Sequence, residues 1–127
     1  MRDEALGVRR HHELQVWKES MDLVEEIYRM SGAFPREEVY GLASQMGRAA
    51  VSVPSNLAEG AARQSDKEFL QFLIIARGSL SELETQIMIA GKLGYVKPVD
   101  SVLQHIDRIF GLLGGLIRSL KQREHKK

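Results

Sequence analysis

Along most of this chain the hydrophobic side chains recur every three or four residues, the spacing that lines one face of an α-helix. The first such run is Leu14, Trp17, Met21, Val24, Ile27 and Tyr28. Ser31, Gly32 and Pro35 end it. Pro35, with Glu37 and Glu38 behind it, suits the entry to a second helix, where proline needs no N–H and acidic groups meet the positive end of the dipole. The second run puts Leu42, Met46, Ala49, Val53 and Leu57 on one stripe. Pro54 falls inside it, removes the bond to the carbonyl of Ala50, and predicts a bend or a split. Gly60 and a capping box at Ser65-Asp66-Lys67-Glu68 mark the next boundary. A third helix is predicted from Asp66 to Leu93, stopped by Gly94 as a left-handed cap. Pro98 opens a fourth, which carries Val102, Ile106, Ile109, Leu113, Leu116 and Leu120.

No stretch shows the two-residue alternation of a strand. Four amphipathic segments joined by short turns predict an all-α, antiparallel up-down-up-down four-helix bundle. It spans residues 13–121, behind a flexible N-terminal arm at 1–12 and ahead of a basic C-terminal tail at 122–127.

Two features bear on assembly. Phe69, Leu70, Phe72, Leu73, Ile74, Ile75 and Ala76 surround almost the whole third helix, interrupted only by Gln71. One bundle covers one side of a helix, so either neighbouring helices wrap this segment closely or another subunit does; the second reading makes Phe69 to Ile75 a candidate oligomer interface. The fourth helix contains Gly111, Gly114 and Gly115. Each costs about 1 kcal/mol relative to alanine, and small residues at this spacing predict close helix approach.

A chain of 127 residues is the size of one domain, and 43% hydrophobic with 28% charged residues is an ordinary globular composition. With no cysteine, neither a disulfide nor a thiolate metal site is open to it. The N-terminus lacks the apolar stretch of a signal peptide and no apolar run approaches the length of a membrane span, so a cytoplasmic, non-membrane protein is expected. Eighteen Lys and Arg against seventeen Asp and Glu leave a net charge of +1, which lends nucleic-acid binding no support from composition. Locally, Arg118, Lys121, Arg123, Lys126 and Lys127 face only Glu124. They read either as cations suited to the negative end of a helix or, with Arg9 and Arg10, as nucleic-acid contacts.

Catalytic and metal motifs fail one by one. Di-iron bundles need two Glu-x-x-His pairs, and no glutamate here has a histidine three residues on. His12-Glu13 reaches Val16 where a zinc protease needs its second histidine. No Gly-x-Ser-x-Gly elbow, phosphate loop or dinucleotide fingerprint occurs, and Ser44, Ser52, Ser55, Ser79 and Ser81 have no histidine beside them in sequence. No catalytic residue, metal, cofactor or small-molecule substrate is therefore expected. A polar stripe does stand out: Gln45, Arg48, Ser52, Asn56, Glu59 and Arg63 share a face of the second helix, and Ser79, Glu82 and Gln86 share one on the third. They form either a solvated flank or a buried or interfacial network that sets helix register and subunit pairing.

The same residues resemble a known family. Tyr40-Gly41-Leu42 and the run from Gln45 through Arg48-Ala49-Ala50 and Pro54-Ser55-Asn56-Leu57-Ala58-Glu59-Gly60 are similar to the signature of a bacterial four-helix-bundle family. That family is named after proteins encoded in intervening sequences of large-subunit (23S) ribosomal RNA genes. The likeness continues through Glu68-Phe69, Phe72-Leu73, Gly78 to Gln86, Leu93-Gly94-Tyr95 and Gly115 to Leu120, and covers about residues 12–121. It implies an antiparallel bundle assembled as a closed five-membered ring. More distantly the chain resembles the accessory variability determinant proteins of diversity-generating retroelements, basic pentamers that contact nucleic acid and a reverse transcriptase. One position departs: the family usually has two arginines before Ala49-Ala50, and here Gly47 stands first, leaving Arg48 alone. With a net charge near zero, this counts against strong nucleic-acid binding.

The sequence thus predicts a non-enzymatic homo-oligomer that serves as an interaction or scaffold module. The alternative is a weak RNA- or DNA-binding accessory protein, its basic patch repeated around a ring.

Overall fold

The computed structural model describes residues 9–97 and 100–126, the last two by backbone alone. Its helices are α1 (Gln15–Ser31), α2 (Leu42–Ala61), α3 (Asp66–Lys92) and α4 (Asp100–Lys126), with no strand among the described residues. Each packs on the next and α4 closes against α1. The pairings run in opposite directions throughout. Gly60 meets Phe69 and Phe72 while Ser52 meets Ser79, and Glu19 meets Arg108 while Gln15 and Val16 lie beside Gly115 and Leu116. The chain is an all-α four-helix bundle.

The core is one layer of aliphatic side chains from all four helices. Leu23, Ile27, Met46, Val53, Leu57, Leu73, Leu80, Leu83, Ile87, Ile106, Ile109 and Leu113 have no exposed surface. On α2 the expected stripe is the one that is buried, with Leu42 half covered; on α4, Ile117 takes the buried place expected of Leu116. On α1 the choice differs. The buried row is Val16, Ser20, Leu23 and Ile27, whereas Met21 and Tyr28 are largely exposed and Trp17 and Val24 half so. The apolar arc of α1 is wider than the core can take. Ser20 enters the core because its hydroxyl donates to the Val16 carbonyl at 2.7 Å, leaving no polar group unpaired.

The boundaries carry two corrections and decide one open alternative. Residues 9–12 do not trail loosely: Arg10–Glu13 form a 3₁₀ turn packed on α1 and α2, with His11, His12 and Trp17 in edge contact. Pro35 precedes a single 3₁₀ turn at Arg36–Glu38, and α2 begins only at Leu42. Glu38 still serves that start, accepting from the Leu42 amide at 2.9 Å and from the Tyr95 hydroxyl at 2.8 Å; these bonds hold its carboxyl below the usual range. Pro54 does not split α2, which is continuous from Leu42 to Ala61 with Pro54 buried in it. A proline inside a helix costs about 3 kcal/mol, and the fully buried Val53 and Leu57 beside it hold the helix together.

The other ends follow the local code. Ser65 Oγ accepts from the Glu68 amide at 3.1 Å and opens α3, though the Glu68 carboxylate takes the Ser65 hydroxyl rather than its N–H. Gly94 has φ +78°, and Tyr95 N–H bonds back to the Ala90 carbonyl at 3.0 Å, closing α3 in a Schellman turn. Pro98, expected to open α4, lies outside the described residues. The helix runs through Lys126, so the expected tail at 122–126 is its last turns, and Lys127 lies outside the described residues.

Candidate functional site

The polar residues of α2 and α3 meet along their shared seam, but only some of them join. Ser52 Oγ and Ser79 Oγ lie 2.8 Å apart, bridging the helices, and the Asn56 amide donates to the Ser52 hydroxyl at 2.9 Å and to the Ser52 carbonyl at 2.8 Å. Above this bridge opens a cleft of about 420 Å3 lined by Gln45, Arg48, Ala49, Ser52, Ser79 and Glu82. Gln86 is 5% exposed, and its amide donates to Glu82 at 3.1 Å while its Oε1 has no partner. Glu59 stands apart in an exposed pair with Arg63 at 3.0 Å on its own helix. Arg48 is exposed and donates to the Ser44 hydroxyl at 3.0 Å. The stripe is thus a short bridge in the seam with solvated ends.

A second constellation escaped the sequence reading. His105 on α4 sits between Glu26, 2.6 Å from Nδ1, and Glu19, 2.8 Å from Nε2; Arg108 Nε reaches the other Glu19 oxygen at 3.2 Å. Ionised carboxylates only accept, so a ring flanked by two of them donates from both nitrogens and is an imidazolium. Burial opposes that charge, but the bonds to Glu26 and Glu19 prevail and raise the ring above its ordinary 6.5. The His105 bond in turn holds Glu19 below its ordinary 4.5, against the effect of burial. With both nitrogens occupied, His105 pairs with none of the serines. The signal was present as Glu19 and Glu26, two turns apart, and His105 and Arg108, one turn apart, on flanks beside the apolar stripes. Among the described residues no three His, Asp or Glu side chains are set to hold a metal ion.

The candidate oligomer segment divides between core and surface. Phe69 and Leu73 belong to the chain's own core and cannot be contact residues. Every fourth or third position of α3 points inward, and these two stand in that row with Ala76 and Leu80. Leu70 and Phe72 are half-buried, Phe72 lying 4.7 Å beneath the Arg63 guanidinium, and Ile74 and Ile75 are exposed. Further along α3, Met88, Ile89 and Leu93 are exposed too. The glycines of α4 do not bring a helix close. Nothing lies within 4 Å of a Cβ built at Gly111, and at Gly114 and Gly115 the only neighbour is the Arg118 guanidinium. Close packing occurs instead at Gly60, which meets the rings of Phe69 and Phe72, and at Gly47, where the Tyr28 ring lies across α2.

The seam between α1 and α2 is an open apolar furrow. Its first half, about 310 Å3, is lined by His11, Trp17, Met21, Val24, Val51, Pro54, Ser55 and Ala58. The second half, about 450 Å3, lies between Tyr28 and the segment Val39 to Arg48, where Tyr40 is 94% exposed.

The candidate nucleic-acid residues gather at one end of the bundle, where α1 and α3 begin and α2 and α4 end. The Arg10 guanidinium caps the Ala61 carbonyl at 3.5 Å and sits 4.9 Å over the Phe69 ring. Arg9 is exposed at the head of the 3₁₀ turn. Arg123 forms a two-pronged ion pair with Asp66 at 2.7 and 2.8 Å. Arg118 and Lys121 are exposed. The side chain of Lys126 and all of Lys127 lie outside the described residues.

No helix among the described residues is long and apolar enough to cross a membrane. A comparison with curated proteins returned no match. The family model described as 23S rRNA-intervening sequence protein matches residues 12–115. Those residues hold α1, α2, α3 and most of α4, and the chain belongs to that family.

Proposed function

We propose that this protein is a non-enzymatic helical-bundle scaffold that works as a homo-oligomer, and that its partner is first of all itself. The observation that carries the reading is the outer face of α3. From Gln71 to Ile89 the exposed side chains are Gln71, Ile74, Ile75, Arg77, Gly78, Ser81, Glu82, Thr85, Met88 and Ile89, with only two charges among them, Arg77 and Glu82. The centre of a protein interface is depleted of charge in this way, whereas a free helix face is usually studded with it. A closed ring of five is the assembly that family resemblance implies, and the reading adopts it. Light scattering at low micromolar concentration tests it: a ring is expected, and a lone copy at every concentration would overturn it.

A second reading, weak RNA or DNA binding, draws on the convergence of Arg9, Arg10, Arg118 and Lys121 at one end of the bundle. Repeated around a ring, such a patch gains by avidity. Mobility shifts across a salt series test it, since phosphate contacts weaken steeply as salt rises; no shift at low salt would remove it.

A further inference from the structure

Two opposite charges stand unpaired around one cleft. Arg48 on α2 and Glu82 on α3 both line the opening of about 420 Å3 above the serine bridge. Elsewhere on the bundle arginine finds a carboxylate four residues away, Arg29 with Glu25 at 3.1 Å and Arg63 with Glu59 at 3.0 Å. Arg48 and Glu82 instead are each tied to their own helix. Arg48 gives one of its five N–H donors to the Ser44 hydroxyl, four residues back, and has no carboxylate partner among the described residues. Glu82 accepts through one oxygen from the amide of the buried Gln86, four residues on, and has no cationic partner among them. These two tethers hold the charges apart and leave the space between them open.

The floor has a donor to spare. Ser52 and Ser79 carry two hydroxyl hydrogens, and the 2.8 Å bond between them uses one. Asn56 supplies its own hydrogen to Ser52, so the second hydroxyl hydrogen has no acceptor among the described residues. The Gln45 side chain at the rim is exposed and without a partner there. Ala49 is the single apolar residue of the lining.

We propose that this cleft binds a small zwitterion of the α-amino acid class. Its carboxylate sits on the Arg48 guanidinium and the spare serine hydroxyl, and its ammonium on the Glu82 carboxylate. A guanidinium fork matches a carboxylate with two parallel bonds, and a carboxylate takes an ammonium in the same charge-assisted way. A plain anion would meet repulsion from Glu82, a plain cation would meet it from Arg48, and an apolar molecule would find one methyl group to cover. The volume lies in the range of small-molecule sites, about 300–1,000 Å3. No sequence motif marks the site, because its charges come from two helices and only the α2–α3 packing turns them to one opening. The proposal stands apart from the oligomeric reading and adds a ligand to it.

Thermal-shift screening of the whole chain against the common α-amino acids, followed by calorimetry, tests it. At least one amino acid should raise the melting temperature and bind once per chain. Arg48→Ala and Glu82→Gln should each weaken that binding about tenfold or more, the scale of one hydrogen bond to a charged group. N-acetylation of the same amino acid, which removes its positive charge, should weaken it as much. Arg77→Ala, exposed on α3 but outside the lining, should leave binding unchanged. Both altered side chains are exposed, so circular dichroism should show folded protein; if either variant unfolds, Arg48→Gln and Glu82→Ala take their places. Absence of binding by every amino acid, binding that survives either substitution, or an N-acetylated form that binds as tightly would overturn the proposal. Loss of assembled mass in both variants with no amino acid bound would give the cleft to a neighbouring copy and overturn it as well.

Discussion

A Cβ added at Gly60 would lie 2.7 Å from the Phe72 Cβ and 2.9 Å from Cδ1 of Phe69, so the α2–α3 crossing is built around a missing methyl group. Gly60→Ala gains about 1 kcal/mol of helix propensity but pays about 1–3 kcal/mol of overpacking. Urea denaturation should find it less stable than wild type. Gly111→Ala has nothing within 4 Å to strike and should be more stable by about 0.5–1 kcal/mol. The difference between these two glycines is invisible in the sequence. Arg48 teaches the same lesson in reverse. A buried partner carboxylate would make Arg48→Ala cost several kcal/mol, but its contact is an exposed hydroxyl. Its effect on stability should stay within about 0.5 kcal/mol, read by urea denaturation.

At the scale of elements, the α1–α4 seam is held by charge where the α2–α3 seam is held by hydroxyls. His105 is raised in the folded state, so its contribution is fully present below its ordinary 6.5 and fades as pH climbs through the higher folded value. Glu19 is depressed, so its contribution is present above 4.5 and fades as pH falls through the lower folded value. The clamp therefore stabilises most between those ordinary values. Thermal melts across pH should show a maximum there, and His105→Gln should remove the alkaline decline while costing about 2 kcal/mol near the maximum, the scale of hydrogen bonds to charged groups. At the head of α3, Ser65→Ala removes the cap on the Glu68 amide and should cost about 1 kcal/mol, measurable in the same melts.

For the whole molecule, an assembly seated on apolar faces should hold its mass as sodium chloride rises from about 0.1 to 1 M, because hydrophobic contacts are not screened as charges are. Light scattering across that range checks it, and dissociation by salt would point to a contact made of ion pairs. The helices, their caps at Ser65 and Gly94 and the buried stripes of α2 and α4 were legible in the chain because each depends on residues within about four positions of one another. The polar bridge of α2 and α3 was half legible. Ser52, Asn56 and Ser79 share the right faces, but whether Glu59 and Arg48 reach the seam depends on how far the helices roll toward each other. Three things only the tertiary structure decided. It buried Val16, Ser20, Leu23 and Ile27 rather than the row of Trp17, Met21, Val24 and Tyr28, because α1 is apolar over a wider arc than its neighbours can cover. It brought His105 to Glu19 and Glu26, more than seventy residues away in sequence. And it drew Phe69 and Leu73 into the core while leaving Ile74 and Ile75 outside. The local code states which side chains are apolar and which share a helix face; only the packed neighbours determine which of two apolar faces turns inward and which is left exposed.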